Sequence, residues 1–284
     1  MRVPIDLAWE IIISDNNSTD HTGDVINAYV DRLPVLREFE PCPGLSNARN
    51  RAIDAAKGDY IVWTDDDVVV GAGWLRAYVD AFRRWPEAAV FGGRITPRYD
   101  GPVARWIAES EALLIGPLGV CNFGDDAQPL SVAESRLPFG ANFAIRAIEQ
   151  RNFRYNPDLG VAPGRRRLND ETDVIKRLLG SGATGYWLPE AMVEHCIRQE
   201  MQTLRYITGY YMGSGETNAF SSAAATTAAS LWFGVPTRVW PRLLKWGLYY
   251  HFHRLVSPAP VWIRHLRPYA YYKGTVKYWR RRGG

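Results

Sequence analysis

Short apolar runs that alternate with helical patterns constrain the fold of this chain more than any other feature. Apolar runs suited to buried strands lie at 10–14, 60–64 and 89–95. Helical periodicity lies between and after them, at 45–57 and 74–85. Strands that alternate with helices favour a mostly parallel sheet covered by helices on both faces. The first two-thirds of the chain is therefore predicted to be an α/β domain.

Composition excludes several classes of protein. The 284 residues are 46% apolar and 23% charged, which is typical of a globular protein and not of a disordered one. Cys42, Cys121 and Cys196 are scattered and form no Cys-x-x-Cys pair, so neither a zinc ribbon nor a disulfide framework is indicated. The first residues lack the apolar core of a secretory signal, and no apolar stretch of about 18 residues occurs. We expect a cytoplasmic protein without a membrane-spanning helix.

Charge divides the chain into two parts. Residues 217–284 contain 11 Lys and Arg and no Asp or Glu, whereas the remainder has a net charge of −7. Residues 231–284 are also rich in Trp and Tyr. We predict a catalytic domain at 1–215, a small-residue linker at 216–230 and a basic, aromatic, helical tail at 231–284.

The tail at 231–284 has three interpretations. Trp and Tyr favour the headgroup region of a bilayer, and each Lys or Arg near an anionic leaflet gains about 1 kcal/mol. The tail could therefore dock on the cytoplasmic face of a membrane, near a lipid-linked acceptor. Alternatively, it packs on the catalytic domain and buries its aromatic side chains. Nucleic-acid binding is not expected, because no recognised motif accompanies the aromatic residues.

Three adjacent carboxylates, Asp65, Asp66 and Asp67, directly follow the buried strand predicted at 60–64. In open α/β sheets, ligands bind outside the carboxyl ends of strands. Carboxylates that repel one another there favour a cation, and Mg²⁺ or Mn²⁺ suits carboxylate oxygens while leaving positions for phosphate. The alternative is a solvated turn that caps the next helix.

Five segments together resemble the family 2 glycosyltransferases of the GT-A fold. They are DNNSTDHT at 15–22, GLSNARNRAIDAAKGDYIVWTDDD at 44–67, PFGANFAIR at 138–146, NDETDVIKRL at 169–178 and WLPEAMVEH at 187–195. They occur in the family's order and cover about 10–215. The resemblance implies a GT-A, Rossmann-like nucleotide-diphospho-sugar transferase fold, to which the helical basic tail is an extension.

On the donor side, the resemblance assigns Asp15 to the nucleobase and Arg49 to the donor phosphate or base. Asp65 maps onto the acid near the ribose, and Asp66 onto the sugar or the water shell of the metal. Metal binding maps onto Asp67 and His195. A histidine ligand favours Mn²⁺ over Mg²⁺, because Mg²⁺ prefers oxygen ligands.

On the acceptor side, the resemblance implies that Gly140, Ala141 and Asn142 lie beside the bound acceptor. Asp170 and Glu171 map onto the family's acidic pair, and Glu171 occupies the place of the catalytic base. The order of the two acid types is reversed here, which leaves open which of them is the base. Such a base takes the proton from the acceptor hydroxyl and works best with a raised pKa.

These assignments imply a metal-dependent, inverting glycosyltransferase that uses a nucleotide-diphosphate sugar and a glycan, polysaccharide or lipid-linked acceptor. Two alternatives remain. A nucleotidyltransferase would show a Gly-rich N-terminal loop with a basic residue, which is absent. A non-catalytic nucleotide-sugar or carbohydrate-binding protein is favoured by the lack of the family's first strand and opposed by the intact acidic clusters. Only nine residues precede Glu10, so we expect that the recorded start lies downstream of the true one or that the chain is a fragment.

Overall fold

The computed structural model describes residues 7–223 and 230–283. The described residues form two compact units. Unit 1 contains 7–97, 119–163 and 169–196, and unit 2 contains 98–118, 164–168, 197–223 and 230–283.

The regular elements follow in chain order. The strands are β1 Ile11–Asp15, β2 Val35–Phe39, β3 Tyr60–Thr64, β4 Val68–Val70, β5 Val90–Tyr99, β6 Gln128–Pro129, β7 Asn142–Arg146, β8 Val161–Ala162, β9 Arg165–Arg166, β10 Gly185–Ile197, β11 Leu231–Trp232 and β12 Val235–Pro236. The α-helices are α1 Thr22–Asn27, α2 Leu45–Ala55, α3 Trp74–Arg84, α4 Arg105–Ala108, α5 Ala147–Asn152, α6 Asp170–Gly180, α7 Leu204–Ser222, α8 Val239–Val256 and α9 Ala259–Gly283. Single 3₁₀ turns lie at Glu111–Leu113 and Gln199–Gln202.

The main sheet of unit 1 is mixed, so the prediction of a mostly parallel sheet is corrected. Its strand order is β3-β7-β5-β10-β4, with β6 also paired to β10. Strand β7 runs antiparallel to β3 and β5, and β10 runs antiparallel to β4 and β6. Strands β1 and β2 form a separate parallel pair. An apolar run predicts that a strand is buried but does not give its direction, because side-chain periodicity is the same in both pairings.

The core of unit 1 contains large side chains from both layers. Trp187, Phe91 and Phe143 lie on strands and are fully buried, and Tyr78 on α3 packs with them. Helix α2 contributes Ile53, which is also fully buried. The sheet and its helices are therefore fixed around the ends of β3 and β7, where the predicted site residues lie.

Three helices, α7, α8 and α9, make up most of unit 2. Helices α7 and α9 approach at backbone distance: a Cβ on Gly215 would lie 1.9 Å from the carbonyl oxygen of Tyr271, and one on Gly274 the same distance from that of Met212. Strands β11 and β12 form a hairpin before α8. Between 7 and 223 and between 230 and 283, no helix combines the length and the apolar content needed to cross a bilayer.

The predicted linker at 216–230 is helical in its first part. Helix α7 continues to Ser222, so residues 216–222 belong to a helix and not to a linker. Residues 224–229 lie outside the described residues. The expectation of a helical segment beyond residue 231 agrees with α8 and α9, whereas the short hairpin at 231–236 was not anticipated.

Candidate active site

The three aspartates form the turn between β3 and β4. Strand β4 pairs with β10 so that Val68 lies opposite His195. This register brings the Oδ2 atom of Asp67 to 3.5 Å from the Nε2 atom of His195. The backbone N–H of Cys196 donates to the carbonyl oxygen of Asp67 at 2.8 Å and fixes the turn. Two side chains that are 128 positions apart in sequence therefore meet.

Asp67 and His195 are a partial donor set for a divalent cation. One carboxylate oxygen and one imidazole nitrogen lie close enough to bind the same ion. Gly119 has a φ of +64° and lies against the His195 ring, because a Cβ there would lie 2.9 Å from the Nδ1 atom of His195. No group of three or more His, Cys, Asp or Glu that could hold a metal occurs in the described ranges. The pair fits a cation whose remaining positions are filled by phosphate oxygens.

Arg49 connects the acidic turn to the start of α6. Its Nη1 atom lies 2.7 Å from the Oδ2 atom of Asp170 and 3.9 Å from the Oε2 atom of Glu171. Its Nη2 atom lies 3.5 Å from the Oδ1 atom of Asp65. Only 6% of the Arg49 side chain is exposed. The guanidinium is therefore engaged by these acids, and the contact of Arg49 with donor phosphate or base stays a prediction.

The surroundings of Arg49 keep it charged. Burial lowers its pKa, but Asp170 and the other nearby acids outweigh that effect and hold the pKa above its ordinary value. The ring of Tyr155 lies 5.3 Å from the guanidinium carbon, and those of Trp63 and Phe143 lie 5.9 Å from it. A buried arginine framed by aromatic faces and paired with carboxylates has little freedom to move.

The acidic pair at the start of α6 is divided by its environment. Asp170 is 3% exposed and accepts the short hydrogen bond from Arg49. The Glu171 side chain is 17% exposed and lies farther from that cation. Burial and the neighbouring Asp170 carboxylate raise the pKa of Glu171 to about 8, although Arg49 acts in the opposite direction. Glu171 therefore holds its proton more strongly than an ordinary glutamate does.

Asp15 ends β1 and is buried. Its carboxylate accepts from Arg37 Nη2 at 2.5 Å and from the backbone N–H of Ser18 at 3.0 Å. Burial tends to raise the pKa of Asp15, but these contacts hold it below the ordinary value. The side chain of Asn16 accepts from the backbone N–H of Gly44 and so ties the end of β1 to the start of α2. Nucleobase binding by Asp15 stays a prediction.

The three residues predicted at the acceptor have different environments. The Gly140 carbonyl accepts from Arg49, and a Cβ on Gly140 would lie 2.9 Å from the Arg49 Nη2 atom and 3.5 Å from the Glu171 Cδ atom. Ala141 is 8% exposed. A side chain larger than hydrogen at position 140 would therefore displace the acidic pair or its arginine.

The prediction for Asn142 is corrected. Its side chain is fully buried, and the Oδ1 atom accepts from Trp74 and Tyr78, both at 2.8 Å. The Nδ2 atom donates to the carbonyl oxygens of Arg94 and Ala191. An amide with all of its hydrogen bonds made inside the core has no group left for an acceptor. Asn142 instead fixes β7 against its neighbours.

The structure thus brings Arg49, Asp65, Asp170 and Glu171 into one connected group, with Gly140 beside it. Asp67, in the same turn as Asp65, forms a pair with His195. Asp66, between the two aspartates in sequence, is exposed. Sequence reasoning did not single out two contributors, which are Tyr155 beneath Arg49 and Arg37 on Asp15. No local pattern marks either one, because each acts through a partner distant in sequence.

Comparison with known proteins finds a family model that matches part of the chain and solved structures of similar fold. Residues 5–127 match the family model described as "Glycosyl transferase family 2". The succinoglycan biosynthesis protein ExoM of Rhizobium meliloti (strain 1021) is 23% identical over 222 residues, which are 77% of this chain and 66% of that protein. The Escherichia coli protein named "UDP-Glc:alpha-D-GlcNAc-diphosphoundecaprenol beta-1,3-glucosyltransferase WfaP" is 45% identical over 58 residues, which are 20% of this chain and 23% of that protein. The chain thus spans less than two-thirds of the length of these relatives.

Among solved structures, one similar fold is the mannosyltransferase PcManGT from Pyrobaculum calidifontis in complex with GDP-Man and Mn²⁺. The TM-score is 0.57 at 14% identity, covering 95% of this chain and 77% of that one. The resemblance to family 2 glycosyltransferases and the α/β, GT-A fold with a helical C-terminal part are confirmed. The family model and the printed names of these relatives support the expectation of a glycosyltransferase.

Proposed function

Residues 5–127 match the model of glycosyl transferase family 2, and from that premise we propose that this protein transfers a sugar from a nucleotide-diphosphate donor to an acceptor hydroxyl. The observation that carries the proposal is the buried Arg49, which contacts the acidic turn through Asp65 and the acidic pair through Glu171 and Asp170. The Arg49 guanidinium thus connects the turn proposed to bind the donor with the carboxylate proposed to accept the proton.

The donor side uses the turn after β3. Asp67 and His195 would hold a divalent cation against the diphosphate, Asp65 and Asp66 would contact ribose and sugar, and Asp15 would contact the nucleobase. A bound cation would neutralise charge that develops on the departing nucleoside diphosphate. The imidazole nitrogen favours Mn²⁺ over Mg²⁺. The fold neighbour named with GDP-Man and Mn²⁺ supports this part of the proposal.

The acceptor side uses Glu171. The acceptor oxygen forms a bond to the anomeric carbon while the bond from that carbon to the diphosphate oxygen breaks. The nucleoside diphosphate leaves with the electron pair, and the hydroxyl proton passes to a Glu171 carboxylate oxygen. This single in-line displacement inverts the anomeric centre. Arg49 and Asp170 act as positioning residues, because their short ion pair holds the start of α6 in place.

The acceptor is proposed to be a glycan, a polysaccharide or a lipid-linked sugar. The printed names of the relatives from Rhizobium meliloti and Escherichia coli, which mention succinoglycan and a diphosphoundecaprenol-linked sugar, support this class. A lipid-linked acceptor agrees with a cytoplasmic protein that touches the membrane through residues 231–284, which is also part of the proposal.

Release of nucleoside diphosphate from a panel of UDP-, GDP- and TDP-sugars with Mn²⁺ tests the proposed function. We expect release from one donor, loss of release with EDTA, and recovery when Mn²⁺ is restored. Asp67→Asn should lose most release and should need more Mn²⁺, whereas the matched control Asp31→Asn, at an exposed position, should behave as the unaltered protein. Manganese-dependent protection of the protein against thermal unfolding by the nucleoside diphosphate provides a readout besides activity.

Other outcomes would point to the alternatives. Thermal stabilisation by a nucleotide sugar without release, in the presence of any glycan acceptor, would indicate a non-catalytic binding protein. Release of pyrophosphate from a nucleoside triphosphate and a sugar 1-phosphate would indicate a nucleotidyltransferase. Either result contradicts the transferase proposal.

A further inference from the structure

Helix α8 presents a continuous apolar stripe to solvent. Leu244, Leu248, Phe252 and Leu255 are 66%, 65%, 61% and 86% exposed. Their spacing of four, four and three residues puts them on one face of an α-helix. An exposed apolar surface of this extent marks an interaction site more often than an ordinary surface.

The opposite face of α8 already has a partner. Gly247 and Tyr250 are buried, and the ring of Tyr250 stacks on that of Tyr269 in α9 with centroids 5.4 Å apart. A Cβ on Gly247 would lie 3.1 Å from the Tyr269 ring. Helix α8 is therefore apolar on two sides, and Gly247 and Tyr250 lie on the side that packs against α9.

Helix α8 carries basic side chains besides the exposed stripe. Lys245 lies at one edge of it, whereas Arg242 and Arg254 lie farther round α8, and Arg254 donates to the Tyr250 hydroxyl; all three are exposed. Residues 217–284 contain no Asp or Glu. The Lys and Arg side chains of α8 are therefore not matched by any acid of the same segment.

The hairpin that precedes α8 adds exposed aromatic side chains to the apolar surface of that helix. Phe233 and Gly234 have φ values of 50° and 73°, as a two-residue hairpin turn requires. This turn leaves Trp232 57% and Phe233 69% exposed. The Trp232 ring meets the edge of the Trp240 ring in the first turn of α8 at 5.7 Å, which makes the hairpin continuous with the N-terminal end of that helix.

Charge decides which partner covers this surface. A second copy of the chain would bring two copies of the same basic, acid-free segment together, which is unfavourable. Nucleic acid would match the charge, but the stripe is mainly aliphatic and offers few rings for base stacking. An anionic lipid surface satisfies both features, since leucine side chains enter the acyl boundary while lysine and arginine meet the headgroups.

We propose that the stripe of α8 and the tip of the β11–β12 hairpin insert into the interface of an anionic membrane, with α8 lying in the membrane plane. The inference rests on the membrane contact that forms part of the proposed function, and not on the chemistry of sugar transfer. It specifies which side of 231–284 meets the lipid and leaves the α9-facing side as protein core.

Sedimentation of the full chain with vesicles tests the proposal. We expect binding to vesicles of equal parts phosphatidylcholine and phosphatidylglycerol, and much weaker binding to pure phosphatidylcholine. The triple variant L244Q/L248Q/L255Q keeps good helix formers at exposed positions and should weaken binding at least tenfold. The control V25Q/V30Q/I148Q changes three exposed apolar residues of unit 1 and should leave binding within twofold.

Three results would overturn the proposal. The first is that the unaltered chain does not bind the anionic vesicles, and the second is that the stripe variant binds them equally well. The third is that the unaltered chain is a dimer, the stripe variant is a monomer, and neither binds vesicles. Circular dichroism and the melting temperature of the variant check that it is folded. Release of nucleoside diphosphate with a water-soluble acceptor should be the same in the stripe variant and the unaltered chain, so failure of docking and failure of the transferase proposal are distinguishable.

Discussion

Arg49 is the residue on which the candidate site depends most. Its type and position follow from the sequence, but its partner Asp170 is 121 positions away and no local pattern indicates the pairing. The resemblance suggested a contact with the donor, whereas burial and three nearby carboxylates make Arg49 an anchor for the acids. The sequence thus indicated the residue but not its ion pairs, because these are set by tertiary contacts; the donor contact stays a prediction.

Removing the Arg49 charge should destabilise the protein, because it leaves the buried Asp170 carboxylate without a positive partner. Arg49→Met leaves the Asp170 carboxylate, which is 3% exposed, without its cation, and should lower the free energy of unfolding by about 3–5 kcal/mol. The double variant R49M/D170N removes both charges and should recover part of that loss. Urea denaturation measures both values. Equal stability of R49M and the unaltered protein would contradict the assigned anchor.

The raised pKa of Glu171 predicts the pH dependence of activity. A carboxylate that accepts the acceptor proton must be ionised, so kcat/KM should rise with pH and level off above a pKa of about 8. Glu171→Gln should lose about 10²–10⁴-fold in activity, because the amide cannot take the proton. A pH–rate profile with a soluble acceptor is the measurement. A profile that is flat from pH 6 to 9 would remove Glu171 from the role of base.

The same shift has a consequence for stability, with a defined sign. Between its ordinary value of 4.5 and about 8, Glu171 keeps a proton in the native state that the unfolded chain has lost. The proton on Glu171 therefore contributes fully to the free energy of unfolding below the unfolded pKa of 4.5, and this contribution is lost as pH rises through the native pKa of about 8. Glu171→Gln should show a weaker fall in stability over this window than the unaltered protein, measured by denaturation at several pH values.

At the scale of elements, positions were easier to predict than pairings. The apolar run at 60–64 coincides with β3, and the helical pattern at 74–85 agrees with α3 to within one residue. The direction of the strands was missed, because β7 and β10 run against their neighbours. The buried hydrogen bonds of Asn142 were also missed, because its partners Trp74 and Tyr78 lie on α3, more than 60 positions away in sequence.

Helix α7 offers two glycines with opposite expected behaviour. A Cβ on Gly215 would lie 1.9 Å from the carbonyl oxygen of Tyr271, so Gly215→Ala should force α7 and α9 apart and lower the free energy of unfolding by about 1–3 kcal/mol. A Cβ on Gly209 meets nothing nearer than an Arg166 nitrogen at 3.7 Å. Gly209→Ala should therefore stabilise the helix by about 0.5–1 kcal/mol through its backbone entropy.

Chemical denaturation of the two variants, followed by circular dichroism, compares them directly. The pair is matched because both changes add one methyl group to the same helix. Destabilisation of equal size by both would mean that helix packing at Gly215 is not what separates them. Stabilisation by Gly215→Ala would contradict the close approach of α7 and α9.

At the scale of the whole molecule, the chain separates two kinds of surface along its sequence. Residues 217–284 are basic without a single acid, and the remainder has a net charge of −7. The sequence alone showed this division, since charge can be counted without a fold. The sequence did not show that α8 directs a second apolar face outwards, because the inner and outer faces of that helix are both rich in apolar residues.

Salt should separate the two contributions to membrane binding. Raising the ionic strength from about 0.01 to about 1 M shortens the screening length from roughly 30 to roughly 3 Å, which weakens the attraction between cations and anionic lipid but not the insertion of leucine side chains. Binding of the full chain to phosphatidylglycerol-containing vesicles should therefore fall to a residual level and not to zero. The stripe variant L244Q/L248Q/L255Q should keep the salt dependence and lose the residual binding. The variant K245E should show a smaller slope against salt and should keep the residual binding. Binding of the unaltered chain that is insensitive to salt would show that the basic side chains of α8 do not face the lipid.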